Sequence, residues 1–214
     1  MLKSLKPTSA GIRNTRILQS SQFPKKRVIK RVTTRFQECA GRNSLGRKCV
    51  GDRSARKHRR LYKQYPLSYS YFFAVITGIE RDSSRTNFAC RAFCTTNKKF
   101  FYLPFIEGLC PGSVVAYSPK KTVLKKGYRF SVKNIQVGTS ISNISIGNYG
   151  RESFVKSAGT FSQLLKNDSS GFSLRLPSGK LLTSVREAYC TIGGVGFSDH
   201  YNIRKGKAGR SRFL

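Results

Sequence analysis

Lys156-Ser157-Ala158-Gly159-Thr160, Leu174-Arg175-Leu176-Pro177-Ser178-Gly179, Cys190-Thr191-Ile192-Gly193 and Gly206-Lys207-Ala208-Gly209-Arg210 punctuate the stretch from Gly150 to Arg212. Short apolar runs alternate there with Gly and Ser turns, and nearly every turn has a Lys or Arg beside it. Evenly spaced short strands with such turns predict a small β-barrel whose loops face a polyanion.

The same grammar extends upstream. Phe172, Leu174 and Leu176 alternate with Ser173 and Arg175, and Leu181, Thr183 and Val185 with Leu182, Ser184 and Arg186, each a period of two. Asn167-Asp168-Ser169-Ser170-Gly171 reads as a turn and Phe161–Leu165 as a strand. Thr139–Ile146 reads as a strand whose phase slips between Ile141 and Ile144, which predicts a bulge. Ser118–Lys133, with Lys120, Lys121, Lys125, Lys126, Arg129 and Lys133, reads as a basic connection to an earlier unit. In that unit Tyr69, Tyr71 and Phe73 alternate with Ser68, Ser70 and Phe72, and Val75-Ile76 continue the strand. Further strands are expected at Phe88–Phe93, Lys99–Phe105 and Ser113–Tyr117, after turns at Asp82-Ser83-Ser84-Arg85 and Pro111-Gly112. This spacing suits a second small barrel, and the OB-fold is a common nucleic-acid-binding form of it. Most of its aromatic residues are expected inside, because little else is available to fill the core. Helix signals are almost absent, so the fold class is all-β.

Charge names the class of partner. The 214 residues carry 41 Lys and Arg against 9 Asp and Glu, a net +32, and such a surplus is best neutralised by a polyanion. The surplus is uneven: residues 1–65 hold 19 basic and 2 acidic groups, 66–118 hold 5 and 3, and 119–214 hold 17 and 4. A nearly neutral body thus sits between two basic flanks. Met1–Gln37 contains no acid and reads as an extended basic arm. It resembles a mitochondrial presequence in composition, but we read it as an arm ordered by RNA. Arg53, Arg56, Lys57, His58, Arg59, Arg60 and Lys63 form the densest cationic run and lead into Leu61-Tyr62, so the run is anchored and suited to phosphate. Gly41 and Gly46 bracket Arg42 and Asn43, with Arg47 following, a loop that can offer N–H groups and guanidinium groups to one phosphate.

Other functions find little support. Of six cysteines only Cys90 and Cys94 are close, and their spacing on a strand puts both on one face as buried hydrophobes. No second pair completes a zinc site, so neither a metal nor a cofactor is expected. Two histidines, His58 and His200, lie near no nucleophile pattern, so no enzyme is expected. No apolar run is long enough to span a bilayer, and no membrane partner is expected.

Eight short motifs then occur in order. From about Lys6 the chain resembles the universal L-two family of large-subunit ribosomal proteins. Lys6-Pro7-Thr8-Ser9-Ala10-Gly11 is similar to its KPTSPG, Gly41-Arg42-Asn43-Ser44-Leu45-Gly46-Arg47 to GRNNxGR, and His58-Arg59-Arg60-Leu61-Tyr62-Lys63 to HKRLYR. Asp82-Ser83-Ser84-Arg85-Thr86 is similar to DPNRT, Lys156-Ser157-Ala158-Gly159-Thr160 to RSAGT, and Leu176-Pro177-Ser178-Gly179 to LPSG. Cys190-Thr191-Ile192-Gly193-Gly194-Val195-Gly196 and Gly206-Lys207-Ala208-Gly209-Arg210 complete the series. The resemblance implies an OB-fold followed by an SH3-like barrel, with a basic N-terminal arm and a short basic C-terminal tail. The corresponding expectation is an extension over 1–40, an OB-like domain over 41–118, an SH3-like barrel over 119–200 and a tail over 201–214. It also implies large-subunit rRNA and neighbouring ribosomal proteins as partners, near the subunit interface and the peptidyl-transferase region. A non-ribosomal RNA-binding module is the alternative.

By that resemblance Arg85 and Lys156 occupy places of rRNA-contacting arginines, and Ser157, Ala158, Gly159 and Thr160 form a loop whose small side chains let N–H groups approach RNA. Lys at 156 keeps the charge but loses the planar fork of Arg. Lys6, Arg13, Lys205, Lys207, Arg210 and Arg212 complete the expected RNA contacts. Ala55-Arg56-Lys57 stands where the family has three glycines, and the sequence stops at Phe213-Leu214 where the family continues into a His-Pro-His-Gly-Gly-Gly tail. These departures lead us to expect an organelle-encoded copy in the mitochondrial matrix, with a separate polypeptide as a candidate supplier of the tail.

Overall fold

A computed structural model describes residues 2–19, 44–45, 47, 72–82, 85–95, 98–118, 123–147 and 152–208. Among them the architecture is all-β, with one four-residue α-helix. Ten strands form one continuous sheet. They are β3 (Phe72–Arg81), β4 (Phe88–Cys94), β5 (Lys99–Pro104), β6 (Val114–Tyr117), β7 (Arg129–Ser131), β8 (Ser140–Ile146), β9 (Ser162–Asp168), β10 (Gly171–Arg175), β11 (Leu181–Ser184) and β12 (Ala188–Ile192). A separate pair, β1 (Leu2–Ser4) and β2 (Arg16–Leu18), flanks the helix α1 (Ala10–Arg13). The large sheet runs β11-β10-β9-β8-β12-β7-β6-β3-β4-β5.

Two apolar clusters fill the two halves of this sheet. The first is built from β3 to β6: Phe72, Ala74 and Ile76 point inward, alternating with Phe73, Val75 and Thr77. They meet Phe88, Cys90, Ala92 and Cys94 of β4, so the two cysteines share the inner face as their spacing predicts. The expected aromatic filling is also found: Phe72 lies 5.7 Å from both Phe101 and Tyr117, ring centre to ring centre. Phe197 and Ile203 from the far end of the chain also pack against this first cluster. The second cluster gathers Phe130, Val132, Ile141, Ile144, Leu164, Phe172, Leu174, Cys190 and Ile192. Full burial of each such side chain contributes about 1.5–3 kcal/mol.

Within the sheet the halves join where β6 and β7 run parallel and pair only at Tyr117 and Arg129, and a second bridge links Ile106 to Val195. This corrects the reading of Ser118–Lys133 as a connection throughout. Arg129 is 1% exposed and opens a core strand paired with β12. A lone Arg among lysines carries no sequence mark of burial. The connection holding Lys120 and Lys121 lies outside the described residues.

Other expectations are refined. The bulge in β8 is present: Tyr189 pairs with Ser145 and Thr191 with Ser142, so β8 carries one extra residue opposite Cys190. Asn143 takes a left-handed φ of 50° there, a conformation Asn tolerates better than most residues. Strand β9 runs on through Asn167 and Asp168, leaving only Ser169 and Ser170 to turn. The Asn167 side chain explains the difference, because its Nδ2 donates to the carbonyls of Val132, Lys133 and Ile135 at 3.0, 3.2 and 3.1 Å. It serves a neighbouring 3-10 turn instead of its own.

The N-terminal arm is also corrected in part. Residues 2–18 form a folded hairpin in which Leu2 pairs with Leu18, Lys3 with Ile17 and Ser4 with Arg16. Leu2 and Leu18 pack on the first cluster, and the backbones of Arg16 and Arg204 exchange hydrogen bonds, which together hold so short a hairpin in place.

Candidate nucleic-acid interface

The loop Lys156–Thr160 is held by strained and buried elements beneath it. Asn143 of the β8 bulge donates its N–H to the Val155 carbonyl at 2.9 Å, and Val155 itself has φ 54°. A β-branched residue in that region costs on the order of 1–3 kcal/mol and persists only where its surroundings fix it. Arg129 supplies part of that fixing. Its Nη1 donates to the Asn143 carbonyl at 2.8 Å and lies 3.4 Å from Glu152 Oε1, while Nη2 donates to Ser145 Oγ at 2.7 Å. A planar guanidinium thus ties the bulge to the segment leading into the loop.

Glu152 is the centre of charge here. Burial pushes its carboxyl above the usual range, while Arg129, Arg85 and Lys156 pull it back. Lys156 also donates from Nζ to the Glu152 carbonyl at 3.0 Å. The two expected RNA contacts, Arg85 and Lys156, are therefore brought together around one carboxylate although 71 positions separate them in the sequence. A second link fastens the two segments: the Ala158 N–H donates to Thr86 Oγ1 at 3.1 Å.

That link changes the reading of the loop. The expectation was that its N–H groups face RNA. Instead Ala158 uses its N–H on Thr86, Gly159 donates to Val195 and Gly196 carbonyls at 3.1 and 3.2 Å, and Thr160 donates to Ser157 at 3.3 Å. Three of the four backbone donors in Ser157–Thr160 are thus spent inside the protein. Gly159 is required for a different reason: its φ is 70°, and a Cβ there would sit 2.9 Å from Ser198 Cα. What the loop turns outward is the exposed Ser157 and, beside it, the half-buried Arg85 and Lys156.

A second cationic group forms where residues 2–18 meet residues 203–207. Arg16 and Arg204 exchange backbone hydrogen bonds at 3.0 and 3.1 Å. Gly206, at φ 77°, lies against Gly11 and Thr15 so closely that no side chain fits. This contact brings the expected residues Lys6 and Arg13 onto one unit with Lys205 and Lys207; all but the half-buried Lys205 are exposed. Sequence reading kept them at opposite ends. Arg47 is exposed among the described residues. Arg42, Asn43, Arg53, Arg56, Lys57, His58, Arg59, Arg60, Lys63, Arg210 and Arg212 lie outside them.

Three contributors escaped the sequence reading: Arg129, Glu152 and Thr86. Glu152 is the first acid after Glu107, and a solitary acid in a basic stretch was the one available signal for it. Among the described residues no group of three or more His, Cys, Asp or Glu could hold a metal ion, and no helix is long and apolar enough to cross a membrane. Burial raises the thiols of Cys90 and Cys190 to about 12, so neither is a nucleophile near neutral pH.

Residues 125–214 match the family model described as Ribosomal Proteins L2, C-terminal domain. Over these 90 of its 214 residues the chain is similar to that domain. The match covers the second cluster, the Lys156–Thr160 loop and the segment around Arg204 to Lys207.

Proposed function

We propose that this chain is a structural rRNA-binding component of a ribosomal large subunit, seated near the subunit interface and the peptidyl-transferase region. In this reading residues 41–118 form an OB-like unit and 119–200 an SH3-like unit, between a basic extension over 1–40 and a basic tail over 201–214. The single observation that carries the proposal is the coincidence of the family match over 125–214 with the folded half that presents Lys156–Thr160. Arg85 and Lys156 contact phosphate, and Ser157 reaches a ribose or phosphate beside them. Lys6, Arg13, Lys205 and Lys207 add a second set of phosphate contacts. The cationic runs at 42–47 and 53–63 neutralise further phosphates, and Arg210 and Arg212 extend the tail contacts. Such contacts fix position on RNA through charge and shape, with little reading of base sequence.

We assign it to a mitochondrial ribosome, on the departures from the family pattern at Ala55-Arg56-Lys57 and Lys156 and on the 15 Phe and 10 Tyr of a chain without Trp. Sedimentation of a tagged chain in high magnesium tests the main proposal. The chain is expected to travel with the large particle; recovery only in the soluble fraction, with ribosomes intact, would overturn it. Repeating the gradient on purified mitochondria tests the assignment to that organelle, and absence from their large subunits would refute it.

A further inference from the structure

Strand β11 (Leu181–Ser184) is one edge of the ten-stranded sheet, and among the described residues it pairs only with β10. The hairpin fixes which of its backbone groups that pairing uses. Leu176 donates to the Lys180 carbonyl at 2.9 Å, so every second residue onward from Lys180 turns its N–H and C=O toward β10. Those residues are Leu182 and Ser184, which leaves the N–H and C=O of Leu181 and Thr183 along the open edge. Sheet edges are commonly guarded by a charge, a proline or a bulge. The opposite edge, β5, opens on Lys99 and closes on Pro104, whereas β11 reads Leu-Leu-Thr-Ser with no break in its register. Leu182 packs on the second cluster, while Leu181 is 65% and Val185 79% exposed. A cleft of about 340 Å³ lies beside this edge, with Lys166, Gly171, Ser173, Thr183 and Val185 in its lining.

We propose that the β11 edge takes on a further strand, an extended segment of a neighbouring protein that carries apolar side chains and carboxylates. The reading rests on the large-subunit function above for placing that neighbour beside the chain. The edge offers carbonyl acceptors as well as N–H donors. A peptide backbone satisfies both kinds of group, whereas a phosphate accepts from the donors alone and leaves the carbonyls unpaired. Main-chain pairing supplies affinity, and side chains at alternate positions supply the choice of partner. Exposed Lys180 and Arg186 stand at the two ends of the edge, with exposed Arg175 opposite Leu181 on β10, so the segment carries carboxylates to meet them. Lys166 is already paired with Asp168 at 2.8 Å, which leaves the cleft side nearly neutral. An apolar side chain of the added strand lies there against Val185 and Thr183.

Photo-cross-linking in purified large particles tests the proposal, with Val185→benzoylphenylalanine introduced into the full chain. The expected product is a cross-link to one segment of another protein, rich in apolar and acidic residues and located by peptide mass mapping. A cross-link to a nucleotide, to a second copy of this chain or to the chain itself would overturn the proposal, and so would the absence of any cross-link in particles that contain the chain. The cross-linked segment, synthesised as a peptide, is then titrated against the full chain. Thr183→Pro removes the outward N–H, a loss that an edge strand tolerates, and is expected to weaken peptide binding about tenfold. Thr183→Val keeps the N–H and is expected to bind as the unaltered chain does. Equal binding by the proline variant would show that the edge backbone is not used. Lys180→Ala/Arg186→Ala leaves the backbone intact, so it reads the site even where the proline disturbs the sheet. It is expected to flatten the salt dependence of peptide binding, and an unchanged dependence would overturn the acidic occupant. A chain absent from the large particles would instead refute the ribosomal function itself, so the two failures are distinct.

Discussion

The two halves of the sheet solve the same packing problem with different chemistry. The first, β3 to β6, is filled by aromatic rings, small residues and thiols, and its region of sequence, 66–118, carries almost no net charge. Its buried ionic contact sits away from the apolar cluster, where Glu80 accepts from the Tyr102 hydroxyl at 2.9 Å and lies 3.6 Å from Arg91. The second half places a guanidinium within its fold and uses it to hold a left-handed bulge and a carboxylate under an outward loop. Removing one partner of a buried pair leaves the other charge without compensation, whereas a well-packed apolar core carries no such liability. The first half is therefore chiefly a scaffold that lends Arg85 and Thr86 to the loop, and the second couples its core directly to the surface proposed to face RNA.

The sharpest way to break this contrast is Arg129→Ala. It takes the guanidinium from the Asn143 carbonyl and leaves Glu152 only Arg85 and Lys156, and a loss of about 3–5 kcal/mol is expected in chemical denaturation. Arg129→Lys keeps the charge without the fork and should recover only part of that loss. If Arg129→Ala costs less than about 1 kcal/mol, the second core does not depend on its guanidinium. Gly159→Ala follows. It forces a Cβ into Ser198 at a left-handed φ, and about 1–3 kcal/mol of destabilisation is expected, together with weaker rRNA binding as the loop shifts. Binding lost with stability intact would mean that the loop touches RNA through its backbone after all. In the first half Tyr102→Phe removes one hydrogen bond to a buried carboxylate, for an expected cost of about 1–3 kcal/mol and no change in RNA affinity. A change in affinity there would erase the division between scaffold and binding half.

The smallest effect concerns the thiols. At pH 9 iodoacetamide should label the exposed Cys110 rapidly in the native chain, and leave Cys90 and Cys190 unmodified until denaturant is added. Their raised values keep them protonated through that pH, and burial denies the reagent access. Peptide mass mapping reads the result, and native labelling of Cys90 would show that the first core opens.

The contrast also explains what the sequence could and could not convey. Alternation made β10 readable, because a strand with one buried face repeats every two residues; in β3 and β11 it located the strand but on the opposite phase, since Phe73 and Leu181 are exposed while Phe72 and Leu182 pack inward. The bulge at Asn143 was readable for the same reason, as a slip in that repeat. Arg129 was not, since nothing local separates a buried Arg from the lysines around it. The folded hairpin over 2–18 was missed because its two three-residue strands are too short to show a period, and its packing partners are nearly 200 positions away in part. The loop Lys156–Thr160 was located by its motif, yet the direction of its N–H groups depends on Thr86, Val195 and Gly196, which only the assembled fold brings to it.

The salt dependence of the full chain's affinity for large-subunit rRNA tests the central claim most directly. With some 6–10 phosphates engaged, the affinity is expected to fall by about 10³–10⁵ between 50 and 200 mM salt. Affinity that stays level across that range would contradict binding through the cationic surfaces described here.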